Sequence, residues 1–288
     1  VRYIFIILFC SYGFATKAEP LDNEALQVKL GQWHLGLGVG LGVAKNPLNG
    51  GDDFPLLLLP DVAYYDEHFY FDNGQFGYTV FDKKKHVVSF ISELNPEKRF
   101  FIFWHPSNVF LNSSTMSNAY STPVIGQDDP VIDQDEQLKN INTDDISKRK
   151  WAFDSGINYQ YFNKDLIVRA NLLADISDVY NGWRVGLELE YQLFVGNLIV
   201  QPMLGVWYKS SELNSYYYGL SEKDNLDIFY PMDGGFQPYA HLQLTWPMSE
   251  NKAVLFKLKY DDYSNTSDSP LFKYDYAVNI FMGLKYIF

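Results

Sequence analysis

The chain has 288 residues, 47% hydrophobic and 17% aromatic, with 22 Tyr, 22 Phe and a formal net charge of −12. That length allows a sizeable core or one large barrel, and the negative charge argues against binding nucleic acid through its phosphates. No run of about 20 uninterrupted apolar residues occurs and the mean hydropathy is slightly negative, which excludes a polytopic helical membrane protein.

Residues 1–18, VRYIFIILFCSYGFATKA, read as an export signal. Arg2 precedes an apolar run from Tyr3 to Cys10, and small residues lead to cleavage after Ala18 or Ala15. The single cysteine, Cys10, falls inside this segment, and the bulky Phe9 before it does not suit lipid attachment. Residues 19–288 then carry no thiol and need no disulfide. Without Arg2 and Lys17 the remainder holds 21 basic residues against 35 acidic ones.

From there the dominant signal is a period of two. Strands are expected near 32–43, 54–65, 69–81, 86–94, 99–105, 151–162, 165–175, 183–194, 197–209, 236–246, 252–261 and 276–288, with the four from 54–65 to 99–105 alternating poorly. In 183–194, Trp183, Val185, Leu187, Leu189, Tyr191 and Leu193 oppose Arg184, Gly186, Glu188, Glu190 and Gln192. Such strands run to about ten residues or more, the length of a tilted bilayer crossing. Their apolar faces end in aromatic residues, among them Trp33, Trp151, Trp183, Tyr208, Trp246 and Tyr260, the pattern of girdles at two membrane interfaces. In lipid, unpaired backbone groups find no water, so strands cross only as a closed barrel. The expectation is a closed antiparallel transmembrane β-barrel over 19–288, of about 12 strands, with 10 or 14 also compatible. A soluble sandwich would place charge on the outer face and would leave the girdles unexplained.

Connection lengths agree. Asp66–His68, Asn163-Lys164, Val195-Gly196 and Met248–Asn251 are short and read as periplasmic turns, whereas 106–150, 210–235 and 262–275 are long and read as extracellular loops. The final strand sets Ile280, Met282, Leu284, Tyr286 and Phe288 on one face. A bulky aromatic residue in the last position suggests a signal read by the barrel-assembly machinery, with Phe288 at the periplasmic interface.

The Gly-alternating WHLGLGVGLGV, the segment PLLLLPDVAYYDEHFYFDNGQFGY, and then NSYYYGLSEKD, YPMDGG and SDSPL in order resemble the MipA/OmpV family of outer-membrane proteins over nearly the whole of 19–288. The acidic 106–150 segment and KYDDYSNTSD depart from the family pattern. The resemblance implies an outer-membrane barrel of a Gram-negative bacterium without catalytic residues. One branch of the family is linked to murein synthesis, as a scaffold between a lytic transglycosylase and a penicillin-binding protein. Other members are treated as adhesins or stress-responsive surface proteins.

Chemistry-bearing residues are sparse. Glycines Gly36 to Gly42 recur at every second position, which suits thinning of the lumen side of a strand, not a phosphate-cradling turn. Asp128, Asp129, Asp133, Asp135, Glu136, Asp144 and Asp145 read as a solvated acidic loop, lacking the glycine a calcium loop needs, with weak cation bridging to lipopolysaccharide as the second reading. The five histidines occur singly, so no zinc site or other cofactor is expected. The informative set is the charge expected inside: Arg169, Arg184, Glu188, Glu190, Lys257, Lys259 and Lys285, with Asp154 and Asp165. A mid-plane Arg or Lys facing lipid costs roughly 2–4 kcal/mol. Mixed in sign and facing inward, these residues suit ion pairs in a plugged barrel, or the wall of a narrow polar pore. Function therefore divides between a non-enzymatic scaffold and a small-solute channel.

Overall fold

In a computed structural model, residues 30–102, 105–109, 141–224 and 228–288 are described. Residues 1–18, expected to be an export signal, and most of 106–150, including Asp128–Glu136, lie outside them. Twelve strands form the wall: β1 (Trp33–Ala44), β2 (Leu58–Tyr65), β3 (Phe69–Asp72), β4 (Gln75–Lys83), β5 (His86–Leu94), β6 (Phe153–Asn163), β7 (Leu166–Asp175), β8 (Trp183–Tyr191), β9 (Leu198–Lys209), β10 (Gly235–Ser249), β11 (Lys252–Asp262) and β12 (Tyr276–Ile287). Each pairs antiparallel with its neighbours in sequence, and β12 pairs with β1 from Gly36↔Ile287 to Ala44↔Asn279, closing the ring. Two short pieces, Phe54–Pro55 and Leu193–Val195, extend the pairing of β1 and β9. Closure satisfies the backbone through neighbouring strands, as a bilayer crossing requires. No helix among the described residues is long and apolar enough to cross a membrane.

The period of two produces the two faces of the wall. Along β8, exposed Trp183, Val185, Leu187, Leu189 and Tyr191 alternate with buried Arg184, Gly186, Glu188 and Glu190. Two-residue turns at Lys84-Lys85, Lys164-Asp165, Gly196-Asn197 and Glu250-Asn251, with Asp66–His68, gather at one rim. The described residues of the long connections after β5, β9 and β11 lie at the other.

Two expectations fail locally, and their errors cancel in the count. The expected strand 69–81 is two strands, because Asn73 (φ 48°) and Gly74 (φ 100°) make a two-residue turn between Asp72 and Gln75. The expected strand 99–105 is not formed among its described residues, 99–102 and 105. Asn95 caps a 3-10 turn over Pro96–Phe100, its side chain accepting from the Glu97 N–H at 3.0 Å, and a short helix α1 (Pro106–Val109) follows. Charge draws this segment inward, with Arg99 reaching Asp261 at 3.0 Å and Lys98 donating to the Arg149 carbonyl.

Candidate functional site

The lumen is the candidate site, and it is filled. Arg169 sits directly across from Glu188 in the β7–β8 register and binds it at 2.6 Å, while its other terminal nitrogen lies 2.8 Å from Glu190. Tyr239 donates to the second oxygen of Glu188 at 2.6 Å. Arg184 bridges Asp154 at 2.8 Å and Glu93 at 2.5 Å and stacks 4.7 Å over the Trp207 ring. Lys259 is 3.3 Å from Asp261, and Lys257 lies on the same inward face of β11. Lys285 pairs with Asp61, which also meets His34 at 3.2 Å. Asp165 departs from the set: it is exposed in the Lys164-Asp165 turn, outside the lumen.

An inward side chain lining a water-filled pore would be wet. Instead Arg169 and Glu190 are each 1% exposed, and Gln243 and Phe281 are 0% exposed. The space is taken partly by aromatic residues lying over cross-strand glycines. Tyr70 covers Gly77, Trp207 covers Gly186 and Tyr239 covers Gly205, each a direct register pair in which an added Cβ would strike the ring. The sequence reading did not single out these residues, because the partnership depends on register.

Above the charged layer, the long connections form a plug. Ser210 caps helix α2 (Ser211–Tyr218), and its buried Leu213, Tyr217 and Tyr218 pack with Phe100, Tyr263 and Leu271. The late motifs converge here. Ser269 donates to the Tyr218 carbonyl, Ser215 to that of Met232 at 2.9 Å, and Leu220 bridges Tyr230. Beneath them Glu97 receives Lys209 at 2.7 Å and the Tyr218 hydroxyl. Burial pushes the Glu97 carboxyl up, but Lys209 and Arg99 outweigh it and hold the group below its ordinary range. Asp224 clamps the outer layer, taking Arg149 at 2.7 Å and the Ser147 and Ser221 N–H groups at 3.0 and 2.8 Å.

Outside, Trp33 and Trp246 lie toward the short-turn rim and Trp183, Tyr208 and Tyr260 toward the other. Trp183 and Tyr208 rings are 5.5 Å apart. Trp151 instead stacks on His105 at 5.0 Å, joining the wall to α1. Burial and the nearby Arg99 and Lys98 push His105 down to about 3, so it is neutral there. In β12, Met282, Leu284 and Tyr286 point outward with Ile280 half-buried; Phe288, just past the strand, is exposed, and its N–H donates to the Leu35 carbonyl at 2.9 Å. Among the described residues no group of three or more His, Cys, Asp or Glu could hold a metal.

A closed twelve-strand antiparallel barrel with an apolar belt and a polar interior is an outer-membrane protein of the Gram-negative type. The family described as MltA-interacting protein MipA matches residues 37–288, and the chain belongs to that family. It is 24% identical over 257 residues to MltA-interacting protein of Escherichia coli (strain K12), covering 88% of this chain and 89% of that one. It is 21% identical over 258 residues to the outer membrane protein YiaT of the same organism, covering 88% and 91%. Outer membrane protein OmpV of Vibrio cholerae is 29% identical over 107 residues, 36% of this chain and 42% of that one. Among solved structures, in-vitro folded OmpT of Vibrio cholerae aligns with a TM-score of 0.35 at 8% identity, over 92% of this chain and 100% of that one. The chain is an outer-membrane β-barrel.

Proposed function

We propose that this barrel is a non-enzymatic, non-conducting scaffold that holds envelope enzymes at the outer membrane. The observation that carries the reading is the filled lumen: ion pairs, glycine-seated aromatics and a packed plug occupy the space a channel would need. The relative named MltA-interacting protein supports a lytic transglycosylase as the partner class; a penicillin-binding protein as a second partner rests on the family resemblance alone.

In this reading the short-turn rim faces the periplasm, and Asp66–His68, Lys83–Lys85 and Lys164-Asp165 present the attachment surface. The plug and 106–150 face outward. Arg169, Arg184, Glu188, Glu190, Lys257 and Lys259 hold the barrel rigid, and Ile280, Met282, Leu284, Tyr286 and Phe288 carry the assembly signal. The test is affinity capture from an envelope extract on immobilised folded barrel. Retention of a lytic transglycosylase, lost when the short turns are exchanged for Gly-Ser, supports the scaffold; passage of all murein enzymes through the column overturns it.

A further inference from the structure

One cavity, of about 70 Å³, lies inside the wall between the charged layer and the segment 95–109. That is several times the roughly 10–15 Å³ that admits one water. Glu93, Arg184, Glu188, Trp207, His241 and Lys259 line it.

Its acids are already engaged. Glu93 takes Arg184 and, at 2.6 Å, the Gln75 amide; Glu188 takes Arg169 and Tyr239. Its bases retain unused donors. His241 is 8% exposed, and its Nε2 has no hydrogen-bond partner. Lys259 sits directly across from His241 in the β10–β11 register; its ammonium lies 3.3 Å from Asp261 and 5.9 Å from the Tyr239 ring centre, and has three hydrogens to place. Direct cross-strand partners hold their Cβ atoms about 4.5–5.5 Å apart, so both side chains can reach one small occupant. A buried donor without an acceptor is costly. Here the unpartnered His241 Nε2 and the spare hydrogens of Lys259 lie beside open space.

The geometry points to a binding site for a small monovalent anion, a halide or a one- or two-carbon carboxylate, held between His241 Nε2 and Lys259 Nζ. The cavity has room for an occupant of that size. Arg184 completes the positive wall, and Trp207, whose ring it covers, provides an optical reporter. The site is independent of any partner at the rims.

Bromide is the probe. Crystals of the detergent-folded barrel soaked in bromide show an anomalous peak within hydrogen-bonding distance of both His241 and Lys259. That peak is lost in His241→Phe and Lys259→Met, whose assembly is checked by heat-modifiable mobility on gels. In solution, iodide quenches part of the tryptophan emission saturably in the wild type, and that saturable part disappears in Trp207→Phe and in Lys259→Met. No peak, a peak of equal occupancy in both variants, or a peak without saturable quenching would each overturn the site.

Discussion

Gly40 and Gly283 face each other across the seam where β1 meets β12. A Cβ on Gly40 would overlap the Met282 carbonyl, and one on Gly283 would overlap the Val39 carbonyl. The seam closes the barrel, so two adjacent backbones must approach closely at this point, and only glycine permits it. Gly36 and Gly38 differ: they meet the Lys285 and Leu59 side chains, which fits the lumen-thinning role expected of the whole run.

Gly40→Ala or Gly283→Ala should therefore damage closure more than Gly38→Ala. Overpacking of this kind costs about 1–3 kcal/mol. The unboiled sample on a denaturing gel should lose most of its compact, fast-migrating band in the first two variants and keep it in the third. Equal bands in all three would show that the seam tolerates a side chain.

The Arg169–Glu188–Glu190 triad makes a second prediction. Arg169→Met leaves two buried carboxylates without their cation, at a cost of about 3–5 kcal/mol. Urea unfolding in detergent should show that loss, and Glu188→Gln with Glu190→Gln in the same chain should restore much of it. Failure of the triple variant to recover would mean the triad contributes through packing alone.

Asp224 provides a pH-dependent clamp outside the strands. Burial pushes its carboxyl up, but Arg149 and the Ser221 and Ser147 N–H groups outweigh that and hold it below its ordinary value. With the folded value depressed, the clamp contributes fully above the unfolded value near about 3.9 and is lost as pH falls through the lower folded one. Hydrogen exchange at the Ser147 and Ser221 amides, corrected for intrinsic rate, should be slow from pH 5 to 7 and fast below the folded value. Asp224→Asn should exchange fast throughout. Unchanged protection in that variant would show that the clamp does not depend on the charge.

Phe288 contributes little burial to the folded wall, being 77% exposed to the lipid side. Phe288→Ala should slow insertion and raise the periplasmic pool while leaving the heat resistance of assembled barrel near normal. Pulse-chase fractionation checks this; insertion at the wild-type rate would reduce Phe288 to an interface residue.

The outward face was legible in the sequence because lipid imposes one rule on every second residue, as in Trp183 to Tyr191. The interior was legible as a set of charges but not as pairs, since which acid meets Arg184 depends on a register and on β5 being where it is. The Asn73-Gly74 turn carries the strongest short hairpin signal, yet it sits inside an aromatic-rich run that reads as one strand. Conversely, the apolar run after Arg99 resembles a strand, while Asn95-Pro96 marks a helical start and Arg99 finds its acid only across the lumen. The motifs around Tyr218, Met232 and Ser269 were visible as a resemblance, but their meeting in one plug is a tertiary fact.

Ion conductance of the purified barrel in a planar lipid bilayer tests the central claim most directly. A filled lumen under a packed plug predicts no steady conductance at moderate voltage and neutral pH. Steady single-channel steps that change when Arg184 or Glu188 is neutralised would contradict it and identify the barrel as a channel.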